Sequence, residues 1–237
     1  MFYVDYLYLL IVLPCAIWAI ITQSRVSSVF NKYSKMITRA GITGYDSARM
    51  VLDANGLYNV NIERVSGHLS DHYDPRANVI RLSDSVYSSS SSAAIGVAAH
   101  EAGHAVQHAC GYFPVKLRMA IIPVTNFCSK WSMLLILIGV LFLYVSQFAF
   151  WIMIAGVAFF ATSTLFQLIT LPVEFNASAR AMQSLRGARI FSEQELDGAK
   201  SVLRAAAMTY VAALAVSMAT LLRYLLIIMS ANNRRRK

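Results

Sequence analysis

The chain carries an H-E-x-x-H pattern, His100-Glu101-Ala102-Gly103-His104, inside an alanine-rich stretch that predicts a helix. Residues four apart lie on one face of a helix, so the two imidazole rings can bind the same metal ion. Glu101 would then lie beside the open position of that ion, where a carboxylate can take a proton from water. The alternative is an amphipathic helix with two surface histidines, but three of the chain's five histidines, His108 included, fall on this helix. The pattern therefore predicts a site for one zinc ion (Zn2+) per chain, with Glu101 as the catalytic base.

A catalytic zinc site usually has three protein ligands and one open position, so the motif lacks one ligand. Pro172 favours the start of a new helix, which would put Glu174 in the first turn, a favourable place for a carboxylate. Glu174 is therefore the predicted third ligand. The alternatives are His68 or His72, in a loop that could fold over the site, and His108, one turn further along the motif helix.

Long apolar stretches predict that this site belongs to a membrane protein. Of the 237 residues, 57% are hydrophobic and only 14% are charged, which is unusual for a soluble enzyme. Four stretches are long enough to cross a hydrocarbon core of about 30 Å as helices: residues 1–22, 119–148, 149–171 and 204–230. The first lacks the basic start of a signal peptide, which favours a retained membrane anchor. The fourth contains Arg223, so an interfacial or re-entrant helix is its alternative.

Basic residues predict which side of the membrane the site faces. The net charge is +9, and many of the Lys and Arg residues lie between the first and second spans or between the third and fourth. These two segments share one side, which the positive-inside rule assigns to the cytoplasm, although the basic tail at residues 231–237 opposes this. We predict a multi-pass protein of the plasma membrane with its catalytic side facing the cytoplasm. No motif indicates nucleic-acid binding, so no nucleic-acid partner is predicted.

A small polar domain precedes the motif helix. Thr43-Gly44-Tyr45-Asp46 predicts a capping box that opens a helix, and Asn55-Gly56 predicts its end. Alternating apolar and polar residues predict one strand at residues 58–65 and a second at 78–82. The last serines of the run 88–92 are expected to cap the motif helix.

The second of these strands is the predicted contact for substrate. In zinc peptidases, a strand just before the metal-binding helix often pairs with the extended backbone of the substrate, which requires no particular side chains. We predict this role for the strand formed by Asn78, Val79, Ile80, Arg81 and Leu82. The alternative is an ordinary edge strand of a small sheet.

Three stretches of the sequence resemble the YugP-type membrane zinc metallopeptidases. They are residues 100–107, Asp71-His72-Tyr73-Asp74-Pro75-Arg76 and Glu174-Phe175-Asn176-Ala177-Ser178. The resemblance covers nearly the whole chain. More distantly, the chain is similar to the gluzincin-like HtpX and CAAX-prenyl-protease group, in which paired membrane helices separate H-E-x-x-H from a third-ligand Glu. The resemblance implies that His100, His104 and Glu174 bind zinc and that Glu101 is the base.

One position departs from the pattern of that distant group. The group has E-x-x-A-D, whose Asp can orient a zinc-bound imidazole, and this chain has Ser178 in its place. A serine would do this only weakly, so Asn176 is a second candidate for the same role. Most zinc peptidases also place a cationic or phenolic donor near the oxyanion. The candidates here are Arg180, Tyr73 and His72.

The predicted fold class is a mainly α integral membrane protein, with about four transmembrane helices and a small α+β zincin-like catalytic domain. Residues 23–118 would form that domain, and residues 172–203 a helical segment that carries the third ligand. The expected partners are a protein or peptide substrate and the lipid bilayer, and the sequence is also compatible with a membrane-protein partner or a homo-oligomer.

The predicted function is hydrolysis of peptide bonds in membrane or membrane-associated proteins. One alternative is a catalytically silent membrane scaffold or regulator that retains the zinc site, but the intact Glu101 argues against it. A transporter with its histidines on an ion path is another alternative. It is weakened because the histidines lie in the polar domain, whereas a transporter is expected to carry ionisable groups deep within its spans.

Overall fold

The computed structural model describes residues 6–67, 70–143 and 145–235, with side chains described through residue 232. Its elements, in chain order, are a π-helical turn (Tyr8–Val12) and then α1 (Leu13–Tyr33), α2 (Gly44–Ala54), β1 (Asn61–Val65), β2 (His72–Asp74), β3 (Val79–Ser83), α3 (Asp84–Tyr87), α4 (Ser92–Ala109), α5 (Phe113–Leu141), α6 (Gln147–Gly187) and α7 (Glu193–Arg235). The motif lies on α4.

Four helical segments within the described residues are long and apolar enough to cross a membrane. They are Tyr8–Tyr33, Phe113–Leu141, Gln147–Gly187 and Glu193–Asn232. Many of their large apolar side chains are exposed, including Ile20, Leu137 and Leu168, as expected for a surface that contacts lipid. The described structure is therefore mostly helical with four candidate spans, as the composition predicts.

Pro172 lies inside α6 and not at a helix start. A proline removes one backbone hydrogen bond from a helix, but α6 continues beyond it to Gly187. Glu174 consequently lies in the interior of a long helix, so the predicted position in a first turn is wrong. Between the second and third candidate spans, α5 ends at Leu141 and α6 begins at Gln147.

The chain divides into two compact units. One unit comprises Met1–Ile21, Leu117–Leu171 and Thr209–Lys237, and the other comprises Thr22–Lys116 and Pro172–Met208. The second unit contains the small sheet, α4 and the part of α6 that carries Glu174. The candidate site thus belongs to the second unit alone.

Small residues of α4 bring its neighbours close to the motif. Its fully buried alanines are Ala93, Ala94, Ala98, Ala99 and Ala102. A Cβ atom added at Gly103 would lie 2.6 Å from the backbone oxygen of Ala177 in α6, so only a glycine permits this approach. The motif is therefore in direct contact with the segment that carries Glu174.

Helix ends in this unit are capped as predicted. The Thr43 hydroxyl accepts the N–H of Asp46 at 3.2 Å, and the Asp46 carboxylate accepts the N–H of Thr43 at 3.0 Å, which completes the capping box. The helix ends at Asn55-Gly56, where Gly56 has a φ of 72°. Ser91 caps α4 by accepting the N–H of Ala94 at 3.2 Å.

The sheet has the strand order β1-β3-β2, with β1 parallel and β2 antiparallel to β3. The central strand β3 is paired on both sides along Val79–Arg81. The strand predicted to contact substrate (Asn78, Val79, Ile80, Arg81 and Leu82) is therefore the central strand of the sheet, and neither of its sides is an open edge along Val79–Arg81. The free edge on this side belongs to β2, which the sequence patterns did not indicate.

Candidate metal centre

Three side chains converge between α4 and α6. His100 and His104 lie one turn apart on α4, and their Nε2 atoms are 3.4 Å and 3.5 Å from Oε2 of Glu174. Donor atoms around a tetrahedral zinc ion, with bonds of about 2.0–2.1 Å, lie roughly 3.3 Å apart. The ligand atoms of His100, His104 and Glu174 all lie within 4.8 Å of one another. The two imidazoles and the carboxylate therefore fit a zinc ion in both donor type and spacing.

The other described histidines do not join this group of ligand atoms. Nδ1 of His72 lies 2.8 Å from the backbone oxygen of Ser70, and the residue is exposed. The ring of His108 lies edge-on to Tyr73, with 5.5 Å between ring centroids. His68 lies outside the described residues. The geometry thus favours Glu174 among the predicted third ligands.

The site favours a positive charge. Glu174 is only 3% exposed, and Glu101 is 9% exposed. Burial alone would lower the pKa of His104, but the hydrogen bond to Glu174 and the negative charge of Glu101 outweigh burial and raise it. The same negative surroundings would favour a metal cation, whose binding requires His104 to be neutral.

Each imidazole has a second partner on its Nδ1 atom. Nδ1 of His100 lies 3.1 Å from the hydroxyl of Ser178, and Nδ1 of His104 lies 3.0 Å from Oε1 of Gln107. Contacts of this kind fix the orientation of a metal-binding imidazole and leave Nε2 for the metal. The structure therefore places Ser178 where the sequence pattern predicts an orienting residue, and it adds Gln107.

Gln107 determines which nitrogen of His104 carries a proton. The side chain is fully buried, and its Nε2 donates to the backbone oxygen of Val173 at 2.8 Å and to Oδ1 of Asn176 at 3.0 Å. Because both partners are acceptors, the amide nitrogen must face them and the amide oxygen must face His104. That oxygen can only accept, so Nδ1 of His104 is the donor. In the neutral imidazole, Nε2 of His104 then carries the lone pair, on the side of the ring that faces Glu174.

Sequence reasoning missed Gln107. The available signal was its position three residues after His104, on the same helical face.

Asn176 and Arg180 support this arrangement from α6. Oδ1 of Asn176 accepts from Gln107 and also from Nε of Arg180 at 2.8 Å. The guanidinium group of Arg180 lies 5.9 Å from the centroid of the Tyr112 ring. Asn176 thus reaches His104 through Gln107. The predicted oxyanion role of Arg180 stays a prediction.

The main chain of β2 contacts Glu101. The N–H of Tyr73 donates to Oε2 of Glu101 at 3.0 Å, so this N–H points away from β3 and towards α4. The Tyr73 hydroxyl donates to Oδ1 of Asn78 at 3.2 Å. The backbone of Tyr73 therefore contacts the predicted base, Glu101, whereas the Tyr73 hydroxyl is hydrogen-bonded to Asn78.

Comparison with known proteins identifies the family of this chain. Residues 8–229 match the model of a family described as "putative neutral zinc metallopeptidase". The chain belongs to this family. It is 45% identical, over 221 residues, to "Putative membrane protease YugP" of Bacillus subtilis (strain 168), and the match covers 93% of this chain and 95% of that protein. No solved structure gives a significant match. The predicted family resemblance is confirmed.

In this member of the zinc metallopeptidase family, Asp71 fixes the start of β2. Its carboxylate accepts the N–H of Ser83 at 2.7 Å and the Ser83 hydroxyl at 3.1 Å. Burial raises the pKa of Asp71; the bonds from Ser83 partly offset this, and the nearby charge of Glu101 raises it further. Asp71 therefore ties the end of β3 to the strand that contacts the predicted base.

Proposed function

We propose that this chain is a membrane-embedded zinc metalloendopeptidase that hydrolyses peptide bonds of membrane or membrane-associated proteins. The convergence of His100, His104 and Glu174 beside Glu101 carries the proposal. Membership of a zinc metallopeptidase family and the four candidate spans support it. In this proposal the three convergent side chains hold one zinc ion per chain, and the second unit forms a zincin-like catalytic domain.

Glu101 is the proposed general base and acid. A zinc ion held at the site would acidify a water molecule and polarise the carbonyl group of the substrate. The Glu101 carboxylate takes the proton from the attacking water and returns it to the nitrogen of the leaving amine. The N–H of Tyr73 holds one oxygen of this carboxylate, which leaves the other oxygen for the proton.

The outer edge of β2 is the proposed docking edge for an extended substrate. β2 is the end strand of the sheet, and the N–H of Tyr73 already lies on the side of Glu101. A peptide paired along this edge would lie next to the base. Main-chain pairing does not select side chains, so the proposal predicts broad sequence tolerance.

The proposed orientation has the second unit in the cytoplasm and the spans in the plasma membrane. The basic segments on either side of the paired spans support this orientation through the positive-inside rule.

Glu101→Gln provides the test of the proposed function. Its amide oxygen can still accept the N–H of Tyr73, but the amide cannot take a proton. We expect the detergent-purified full chain to retain one zinc per chain in this variant, while casein cleavage falls by at least about 100-fold. Glu193→Gln makes the same substitution at an exposed position on α7 and should match wild type in both measurements.

Three outcomes would contradict the proposal. Cleavage by Glu101→Gln at the wild-type rate would exclude Glu101 as the base. Absence of zinc from wild type after metal reconstitution would exclude the zinc enzyme. Stoichiometric zinc in a wild-type protein that cleaves no tested membrane protein or casein would favour the scaffold instead.

A further inference from the structure

An open groove of about 600 Å³ lies between α6 and α7 within the second unit. Its lining includes three cations, Arg186 of α6 and Lys200 and Arg204 of α7. It also includes the apolar side chains of Phe175 and Ala207. The groove therefore combines a basic part with an apolar part.

The lining of the groove carries a net positive charge. None of its three cations forms an ion pair among the described residues, and no acidic residue lines the groove there. Like charges that share a groove repel each other and create a positive potential. A bound anion would relieve this repulsion.

The polarity of the groove changes in the same way along both helices. On α6, Phe175 follows the predicted span at residues 149–171 closely, and Arg186 comes about three turns later. On α7, Lys200 comes first and Ala207 follows, just before the apolar stretch that begins near Thr209. On each helix the apolar residue of the groove is thus closer in sequence to the span residues than the cations are. An amphiphile would match this order, with its apolar chain at the apolar end of the groove and its anionic head at the cations.

We infer that this groove binds an anionic phospholipid, with its phosphate at Arg186, Lys200 and Arg204 and an acyl chain along Phe175 and Ala207. Guanidinium groups form paired hydrogen bonds with phosphate oxygens, and basic residues near an anionic leaflet attract its head groups. A free phosphate ion would use only the basic end. The inference does not depend on the peptidase reaction.

This lipid would lie close to the metal centre. Ser178 lines the groove, and its hydroxyl is 3.1 Å from Nδ1 of His100. One side chain therefore separates the lipid from a proposed zinc ligand.

Native mass spectrometry of the full chain tests the inference. The protein would be released from nanodiscs of equal parts phosphatidylglycerol and phosphatidylcholine, and the retained lipids counted. We expect wild type to retain phosphatidylglycerol in preference to phosphatidylcholine. The variant Arg186→Gln/Lys200→Gln/Arg204→Gln should retain at least about tenfold less phosphatidylglycerol.

A matched control removes the same net charge from exposed positions outside the groove. The variant Arg25→Gln/Lys35→Gln/Arg76→Gln should retain phosphatidylglycerol within about twofold of wild type, because general attraction changes equally in both variants. Equal losses in the two variants, or no loss in the groove variant, would overturn the inference. Equal retention of phosphatidylcholine by wild type would overturn it as well.

Two further measurements test inorganic phosphate as the alternative occupant of the groove and control for loss of the fold. Excess inorganic phosphate should not release the lipid, and release would show that a phosphate ion occupies the basic end instead. Ala179→Trp fills the groove without changing its charge and should also abolish selective retention. If Ala179→Trp keeps both the wild-type melting temperature and wild-type retention, the lipid does not occupy the groove.

Discussion

The amide oxygen of Gln107 lies 3.0 Å from Nδ1 of His104, and the amide nitrogen of the same side chain donates to Val173 at 2.8 Å. A single buried side chain thus connects α4 with α6, the two helices that supply the proposed zinc ligands. Because its two ends have different hydrogen-bonding roles, it fixes the imidazole tautomer as well as the helix contact.

Replacing Gln107 should weaken metal binding without touching a ligand. In Gln107→Leu, His104 loses the acceptor that holds its proton on Nδ1, so we expect zinc affinity to fall by about 10–100-fold. Competition with a chromogenic chelator measures this change, and the melting temperature of the metal-free proteins reports any loss of fold. Gln194→Leu makes the same substitution at an exposed position and should keep wild-type affinity. Wild-type zinc affinity in Gln107→Leu would show that the contact between Gln107 and His104 does not affect metal binding.

Glu174→Ala should weaken zinc binding more severely, because it removes a proposed ligand. The expected loss exceeds the roughly 100-fold upper range of an orienting contact. Zinc titration of the purified full chain measures this loss, with Glu193→Ala as the control at an exposed carboxylate. Full zinc content in Glu174→Ala would instead assign the third ligand to His72, His68 or His108. Individual alanine variants of those histidines would then distinguish them.

The features that the sequence predicted are those that local physics determines. The alignment of His100 and His104 follows from helix geometry alone, and the capping box at Thr43 depends on residues three apart. The four candidate spans follow from the length and the apolar composition of the stretches, because the thickness of the hydrocarbon core sets the first and its apolar character sets the second.

The features that escaped prediction depend on contacts between distant segments. A three-residue strand such as β2 is too short to show a period, and its place in the sheet relies on the bonds between Asp71 and Ser83. The role of Gln107 depends on a carbonyl group of α6 that is 66 residues away in the chain. Pro172 indicated a helix start, but a single lost hydrogen bond did not outweigh the rest of a long helix.

The pH dependence of stability should report the burial of Asp71. Its pKa is raised in the folded state, so its contribution to stability is largest below its ordinary pKa of about 4 and declines as the pH rises through the raised value. Asp71→Asn can keep both contacts with Ser83 but cannot ionise. Relative to this variant, the wild-type free energy of unfolding should therefore fall with rising pH and then stay constant.

Denaturant unfolding of the metal-free full chain at several pH values measures this difference. Asp197→Asn removes the same charge from an exposed position on α7 and corrects for the general effect of net charge. A wild-type free energy that rises with pH relative to Asp71→Asn would contradict the assignment, since it would mean that folding lowers the pKa of Asp71.

Gly103→Ala should separate the two helices of the metal centre. Alanine is the better helix former by about 1 kcal/mol, so the helix alone would gain from this substitution. Its Cβ atom, however, would lie 2.6 Å from the backbone oxygen of Ala177, and a helix backbone cannot move aside as a flexible side chain can. Overpacking of this kind costs about 1–3 kcal/mol. We expect a lower free energy of unfolding and weaker zinc binding, because Glu174 would move away with α6.

Gly187→Ala is the matched control, since no atom lies within 4 Å of its added Cβ. Wild-type stability and zinc affinity in Gly103→Ala would show that close contact between α4 and α6 is not required for the site.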